Sequence, residues 1–129
     1  MMTDLDRARL SGVAPWQTVV DVRPDYTVFS DAYAVTSGHL LFVPNHDTWY
    51  CLSACYQAAY ESGREGMLAG NWQAFNIGQN IGEAAGQTVM YPHVHMIPRR
   101  PGDCADPTGG VRGVIPSQQN YKQPGYIKP

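Results

Sequence analysis

The sequence carries no excess of basic residues: nine Lys and Arg stand against eleven Asp and Glu, for a formal net charge of −2. Wide, non-specific binding of a nucleic-acid polymer runs on phosphate neutralisation by Lys and Arg, so the composition argues against that class. A local anion site stays open, because Arg99, Arg100 and Arg112 cluster in the last third. Long apolar runs are also missing, and the N-terminal stretch "MMTDLDRARL" is charged. Neither a signal peptide nor a membrane span is expected, and the reading is of a cytoplasmic protein without a membrane partner. The three cysteines are an odd number, which excludes a complete disulfide framework. No Cys-x-x-Cys or His-x-x-x-His spacing supports a structural zinc site. Cys51 and Cys55, four apart, are expected to share a helix face as small buried thiols. Repeats and low-complexity segments are absent.

What is present suits one α+β domain over residues 1–129, with a core from about 17 to 104 and an irregular Pro/Gly-rich tail over 105–129. The first dozen residues read as a short helix or turn. "QTVVDV" (17–22), "YTVFSD" (26–31) and "HLLFVP" (39–44) are β-branched or apolar runs separated by turn residues, and they predict a three-stranded meander. Asp47 is the expected N-cap of a helix over 48–65, with Leu52, Cys55, Tyr56 and Ala59 forming one apolar stripe and Gly63 or Gly66 ending it. "WQAFNIGQ" (72–79) and "HVHMIP" (93–98) complete a mainly antiparallel five-stranded sheet, packed on one long helix.

The chemistry concentrates in "YPHVHMIPRR", Tyr91 to Arg100. Alternate residues of a strand share a face, so Tyr91, His93 and His95 are expected to line up about 7 Å apart. The residues alone leave three readings open. His93 and His95 could hold a metal with His39 or a carboxylate as third ligand. One imidazole could attack phosphorus or a carbonyl while the other handles protons. Both could be structural. The preceding "GEAAGQT" (82–88) shifts the balance toward phosphate, since Gly86 and its fellow glycines let backbone N–H groups approach an anion, and Gln87 and Thr88 add neutral donors. Glu83 and His46 are expected at the surface.

The segment "FNIGQNIGEAAGQTVMYPHVHMIPRRPGD" (75–103) resembles the signature of the histidine-triad (HIT) superfamily of nucleotide hydrolases and transferases. "VFSDAYAVTSGHLLFVP" (28–44) and "DPTGGVRGVIP" (106–116) are similar to further family blocks in the same order. The resemblance implies that His93 is the nucleophile and becomes transiently nucleotidylated, that His95 contacts phosphate or leaving-group oxygens, and that His39 supports them. It implies Asp31 on the ribose hydroxyls, Phe29 and Leu41 beside the base, and Asn80, Gln87 and Thr88 around the phosphates. The expected substrate is a dinucleoside polyphosphate, a nucleoside phosphoramidate or a related nucleotidyl compound. The alternative is a nucleotide-binding or sensing module with little turnover. A homodimer is implied. No metal is expected in the site and no cofactor tightly bound, with Mg²⁺ arriving on polyphosphate substrates. Tyr91 stands at the first triad position, where the family has His; it is expected on the catalytic face but cannot be a cation near neutral pH. The family's N-terminal Cys-containing segment is missing.

Overall fold

Three short β-branched and aromatic segments pair as the spacing predicts: β1 (Val19–Val22), β2 (Tyr26–Ser30) and β3 (Leu40–Pro44) form an antiparallel meander. In this computed structural model, which describes residues 1–129, β4 (Ala74–Gly78) and β5 (Val94–Arg99) complete the sheet in the order β1-β2-β3-β5-β4. Every pairing is antiparallel. β5 therefore lies inside the sheet, with His95 opposite Leu41 of β3 on one side and Gly78 of β4 on the other.

The period-2 alternation of β5 decides what sits where. Val94, Met96 and Pro98 are buried and His95, Ile97 and Arg99 are half-buried. Val94 and Met96 join Val28 and Phe42 against α2 (Trp49–Leu68), which contributes Cys55, Ala58 and Ala59. Truncating a side chain as buried as Met96 typically costs about 2–5 kcal/mol. The three cysteines are free, and burial pushes the Cys55 thiol up to about 12, which leaves it an inert core group.

On the other side of the sheet, α1 (Asp4–Leu10) inserts Leu5 beside Ala14, Phe29, Leu41, Val43 and Tyr91. A Thr3 capping box starts α1: the Thr3 hydroxyl accepts from the Asp6 N–H, and the Asp6 carboxylate accepts from the Thr3 N–H. The short N-terminal helix is thus a plug for the sheet face that carries the histidines.

Two expectations need correction. The N-cap of α2 is Thr48, not Asp47; Thr48 is extended and its hydroxyl accepts from the Cys51 N–H at 3.2 Å, whereas the Asp47 N–H donates to Asp4. α2 runs through both Gly63 and Gly66 to Leu68. These glycines do not end it: a Cβ at Gly63 would overlap the Phe75 ring, and one at Gly66 the Trp72 indole. Trp72 Nε1 donates to the Gly63 carbonyl at 2.9 Å, so the glycines let β4 and its lead-in close on the helix. The tail is irregular apart from 3₁₀ turns at Gly110–Val114 and Pro116–Gln118. Arg112 holds it, donating to the Gln118 and Gln119 carbonyls and lying over the Tyr121 ring at 5.1 Å. No helix is long and apolar enough to cross a membrane.

Candidate active site

His93 is 9% exposed, immediately ahead of β5, and on the same sheet face as His95. Its Nδ1 lies 2.8 Å from the Tyr91 carbonyl oxygen. A carbonyl only accepts, so Nδ1 carries the proton and Nε2 keeps its lone pair. Nε2 has no protein partner, yet no fully buried side-chain nitrogen or oxygen is left unpartnered, so Nε2 is open to solvent. Burial lowers the His93 pKa below the ordinary histidine value, which keeps the ring neutral.

A second chain of hydrogen bonds fixes His95. The Val35 N–H donates to His39 Nδ1 at 3.1 Å, so the His39 proton sits on Nε2, 2.9 Å from His95 Nδ1. His39 is the donor in that pair, and neutral His95 therefore holds its own proton on Nε2. Burial, reinforced by the neighbouring His93 and His39, pushes His95 down to about 4. His39, 2% exposed, is also lowered by burial, against an opposing pull from Asp31. Asp31 Oδ1 accepts from the Tyr33 N–H at 2.8 Å, and Oδ2 lies 3.4 Å from His39 Nε2.

These groups line one cavity of about 610 Å³, within the range of small-molecule sites. Asp31, His39, His93 and His95 meet there with Leu41 at its base. Asn80, Gly86, Gln87 and Thr88 approach from the loop between β4 and β5. Gly82 and Gly86 have φ of 93° and 88°, a backbone conformation that a Cβ would strain, and the loop turns tightly on them. Neither the Thr88 nor the Val89 N–H has a protein acceptor. Asp31 is the one charged side chain in the lining, since burial favours the neutral form of all three histidines.

One oxygen or nitrogen each from Asp31, His39 and His95 lies within 4.8 Å of the others, a spacing that a metal could bridge. The tautomers speak against it. With Nδ1 accepting from Val35, His39 Nε2 is protonated and offers no lone pair. The trio fits a hydrogen-bond relay better than an ion.

No protein-family model matches the sequence, and no curated protein matches it significantly. Solved structures do. A HIT family protein from Bacillus anthracis is 26% identical over 78% of this chain and 77% of its own, with a TM-score of 0.61. A zinc-bound histidine triad family protein from Mycobacterium smegmatis is 28% identical over 77% and 76%, with a TM-score of 0.64. A HIT family member from Bacillus subtilis is 26% identical over 74% and 72%, at 0.59. The chain shares its fold with these histidine-triad family proteins.

Within this HIT fold several residues sit elsewhere than the resemblance implies. The Tyr91 phenol does not share the cavity with the histidines. It is 7% exposed, packs beside Leu5 and Phe29, and donates to the Pro44 carbonyl. Pro92 and the start of β5 at Val94 explain this, because residue 91 precedes the strand and escapes its alternation. Phe29 is fully buried beneath Trp16 and reaches no ligand space. The Gln87 side chain is spent inside its own loop: its oxygen accepts from the Gly82 N–H, and its nitrogen donates to the Val89 and Met90 carbonyls. The expected arginine cluster is structural too. Arg99 pairs with Asp103 at 2.8 Å, Arg100 donates to the Ser37 carbonyl, and Arg112 binds the tail.

Sequence reading overlooked Trp16, Tyr33 and Val35, which all line the cavity. They lie in irregular segments where neither helical nor strand periodicity marks a facing residue. A tryptophan within "SGVAPWQT", with no strand or helix to bury it, was the one available signal.

Proposed function

We propose that this chain is a HIT-type nucleotidyl hydrolase or transferase that binds a nucleotide and cleaves at its α-phosphate through a nucleotidyl-His93 intermediate. The carrying observation is the His93 imidazole itself: neutral, with Nδ1 tied to the Tyr91 carbonyl and Nε2 open to the cavity. The Nε2 lone pair attacks phosphorus as the bond to the leaving group breaks, and the leaving group takes a proton from solvent. The charge gained by the ring is stabilised at Nδ1–H by the Tyr91 carbonyl. Water then attacks phosphorus, the P–Nε2 bond breaks, and a proton returns to solvent with release of nucleoside monophosphate. Splitting one slow displacement into two is the general advantage of a covalent intermediate. His95 Nε2–H and the free Thr88 and Val89 N–H groups are donors for the phosphoryl oxygens. Asp31, with a remaining lone pair on each oxygen, is the acceptor for ribose hydroxyls.

The charge balance of the cavity ranks the substrates. Without Lys or Arg in the lining, and with Asp31 present, a polyphosphate meets repulsion unless Mg²⁺ accompanies it. A phosphoryl group with a single negative charge, as in a nucleoside phosphoramidate, suits neutral N–H donors best. Incubation with adenosine 5′-phosphoramidate and with a dinucleoside polyphosphate tests this: faster AMP release from the phosphoramidate is expected, and none from either with His93→Ala. Equal release by His93→Ala removes the nucleophile.

A second reading is favoured by the buried Tyr91 phenol, which leaves two imidazoles in the cavity besides His39. In it the chain holds nucleotides and turns them over slowly; tight AMP binding with no product over a long incubation supports it. For assembly we propose a homodimer. β4 is paired only with β5 and presents a free edge for a second copy. Light scattering in solution at the monomer mass would contradict this.

A further inference from the structure

Trp16 lies on the irregular segment between α1 and β1, where one side of its indole packs against the Phe29 cluster and another borders the histidine cavity. Its indole centroid is 4.9 Å from the His93 imidazole, with the planes at 61°, and 5.8 Å from the Phe29 ring. Pro15, Trp16 and Gln17 form a wall of the histidine cavity and also of a neighbouring hollow of about 760 Å³ against α1. The indole is half-buried, and its N–H has no acceptor in the protein and is reached by solvent. The Arg9 guanidinium also lies over the Phe29 ring, 5.1 Å from its centroid. Tyr33 is the other aromatic of the lining, but it is 92% exposed and nothing holds its ring.

We infer that Trp16 is the specificity-determining residue of this cavity: it stacks on the planar base of the substrate and selects ring-bearing nucleotides over ringless phosphoryl compounds. The inference rests on the nucleotidyl reading of His93 and adds to it the group that recognises the base. A nucleotide with phosphorus at His93 Nε2 and ribose at Asp31 needs a flat apolar surface next to both. Trp16 supplies one whose position is already fixed, so little side-chain freedom is lost on binding. A ring that stacks on the indole also leaves the indole N–H free to meet an acceptor on the ligand. Stacking of a base on an aromatic side chain is sequence-tolerant, so the selection is for a base over no base, and for purine over pyrimidine by area.

The test uses the full chain, with AMP and ribose 5-phosphate as probes. In a Trp49→Phe background, AMP is expected to quench tryptophan emission, and ribose 5-phosphate is not. Replacing Trp16 with Phe is expected to abolish the quench while a melting curve like that of the parent shows an intact fold. By calorimetry, Trp16→Leu should weaken AMP about ten- to a hundredfold and leave ribose 5-phosphate within about twofold, with Trp16→Phe in between. Unchanged AMP affinity in Trp16→Leu, a quench that survives Trp16→Phe, or equal binding of the two probes by the parent overturns the inference. Trapping of nucleotide on His93 reports on the nucleotidyl reading separately: its failure alongside a Trp16-dependent preference for AMP leaves the stacking role standing.

Discussion

His39 Nε2 and His95 Nδ1 are 2.9 Å apart, and the direction of their hydrogen bond is set from outside the pair. The backbone N–H of Val35 occupies His39 Nδ1, so the proton lies on Nε2 and points at His95. His95 then presents an N–H to the cavity. A main-chain group four residues from His39 thereby fixes the donor that faces the cavity.

His39 is accordingly a positioning residue. In His39→Ala the Val35 N–H and His95 Nδ1 lose their partner, and His95 is free to turn its ring. A misplaced reacting group costs about 10²-fold in rate, so kcat should fall by that order with KM nearly constant. His39→Asn, which can donate to His95, should recover part of kcat. A purely structural role would give parallel losses in both variants.

The depressed histidines set the pH response. His93, His95 and His39 all have folded pKa values below the unfolded value near 6.5, burial being the first cause in each. Below 6.5 the unfolded chain binds protons that the folded chain refuses, so stability falls as pH drops from about 6.5 toward the value of about 4 held by His95. Above 6.5 these groups contribute no slope. Asp31, beside His39, and the mutual repulsion of the three rings act on the same transition. Melting temperature should be level from pH 7 to 8 and decline below 6.5, with a shallower decline in His95→Asn. The acid limb of kcat/KM should lie below 6.5.

Tyr91 shows how close the sequence came and where it stopped. Its phenol donates to the Pro44 carbonyl, and burial raises its pKa far from any catalytic range. Tyr91→Phe leaves that buried carbonyl without its partner, a loss of about 1–3 kcal/mol. It keeps the Tyr91 backbone carbonyl that orients His93. Chemical denaturation should therefore register the change while kcat stays within about twofold.

Gln87 acts through its loop. With three internal hydrogen bonds it holds the Gly82–Met90 segment in the shape that leaves the Thr88 and Val89 N–H groups without a protein acceptor. Gln87→Ala should raise KM for a nucleotide substrate about tenfold, on the order of one or two lost hydrogen bonds at about 1 kcal/mol each. Gln87→Glu keeps the acceptor for Gly82 but loses both donors, so it should resemble Ala rather than the parent.

The strands and the His93–His95 face were legible because their signals are local: β-branched runs, and an alternation that a two-residue period enforces. The loop glycines were legible for the same reason. Tyr91 was misplaced because strand alternation was extended two residues too far, across Pro92. Gly63 and Gly66 read as helix stops, since the Phe75 and Trp72 rings that need the space come later in the chain. Gln87 could not be told from a phosphate ligand, because its partners are backbone groups whose positions only the folded loop defines. Trp16 and Val35 carry no periodic signal at all; they enter the site through irregular segments placed by tertiary packing.

The most direct measurement is covalent trapping. Rapid acid-free quenching of the protein during turnover of adenosine 5′-phosphoramidate, followed by digestion and mass analysis, should find adenylate on the peptide that contains His93, bound through nitrogen and lost in His93→Ala. Turnover that proceeds with unmodified His93, or with the adenylate on another residue, would contradict a nucleophile at that position.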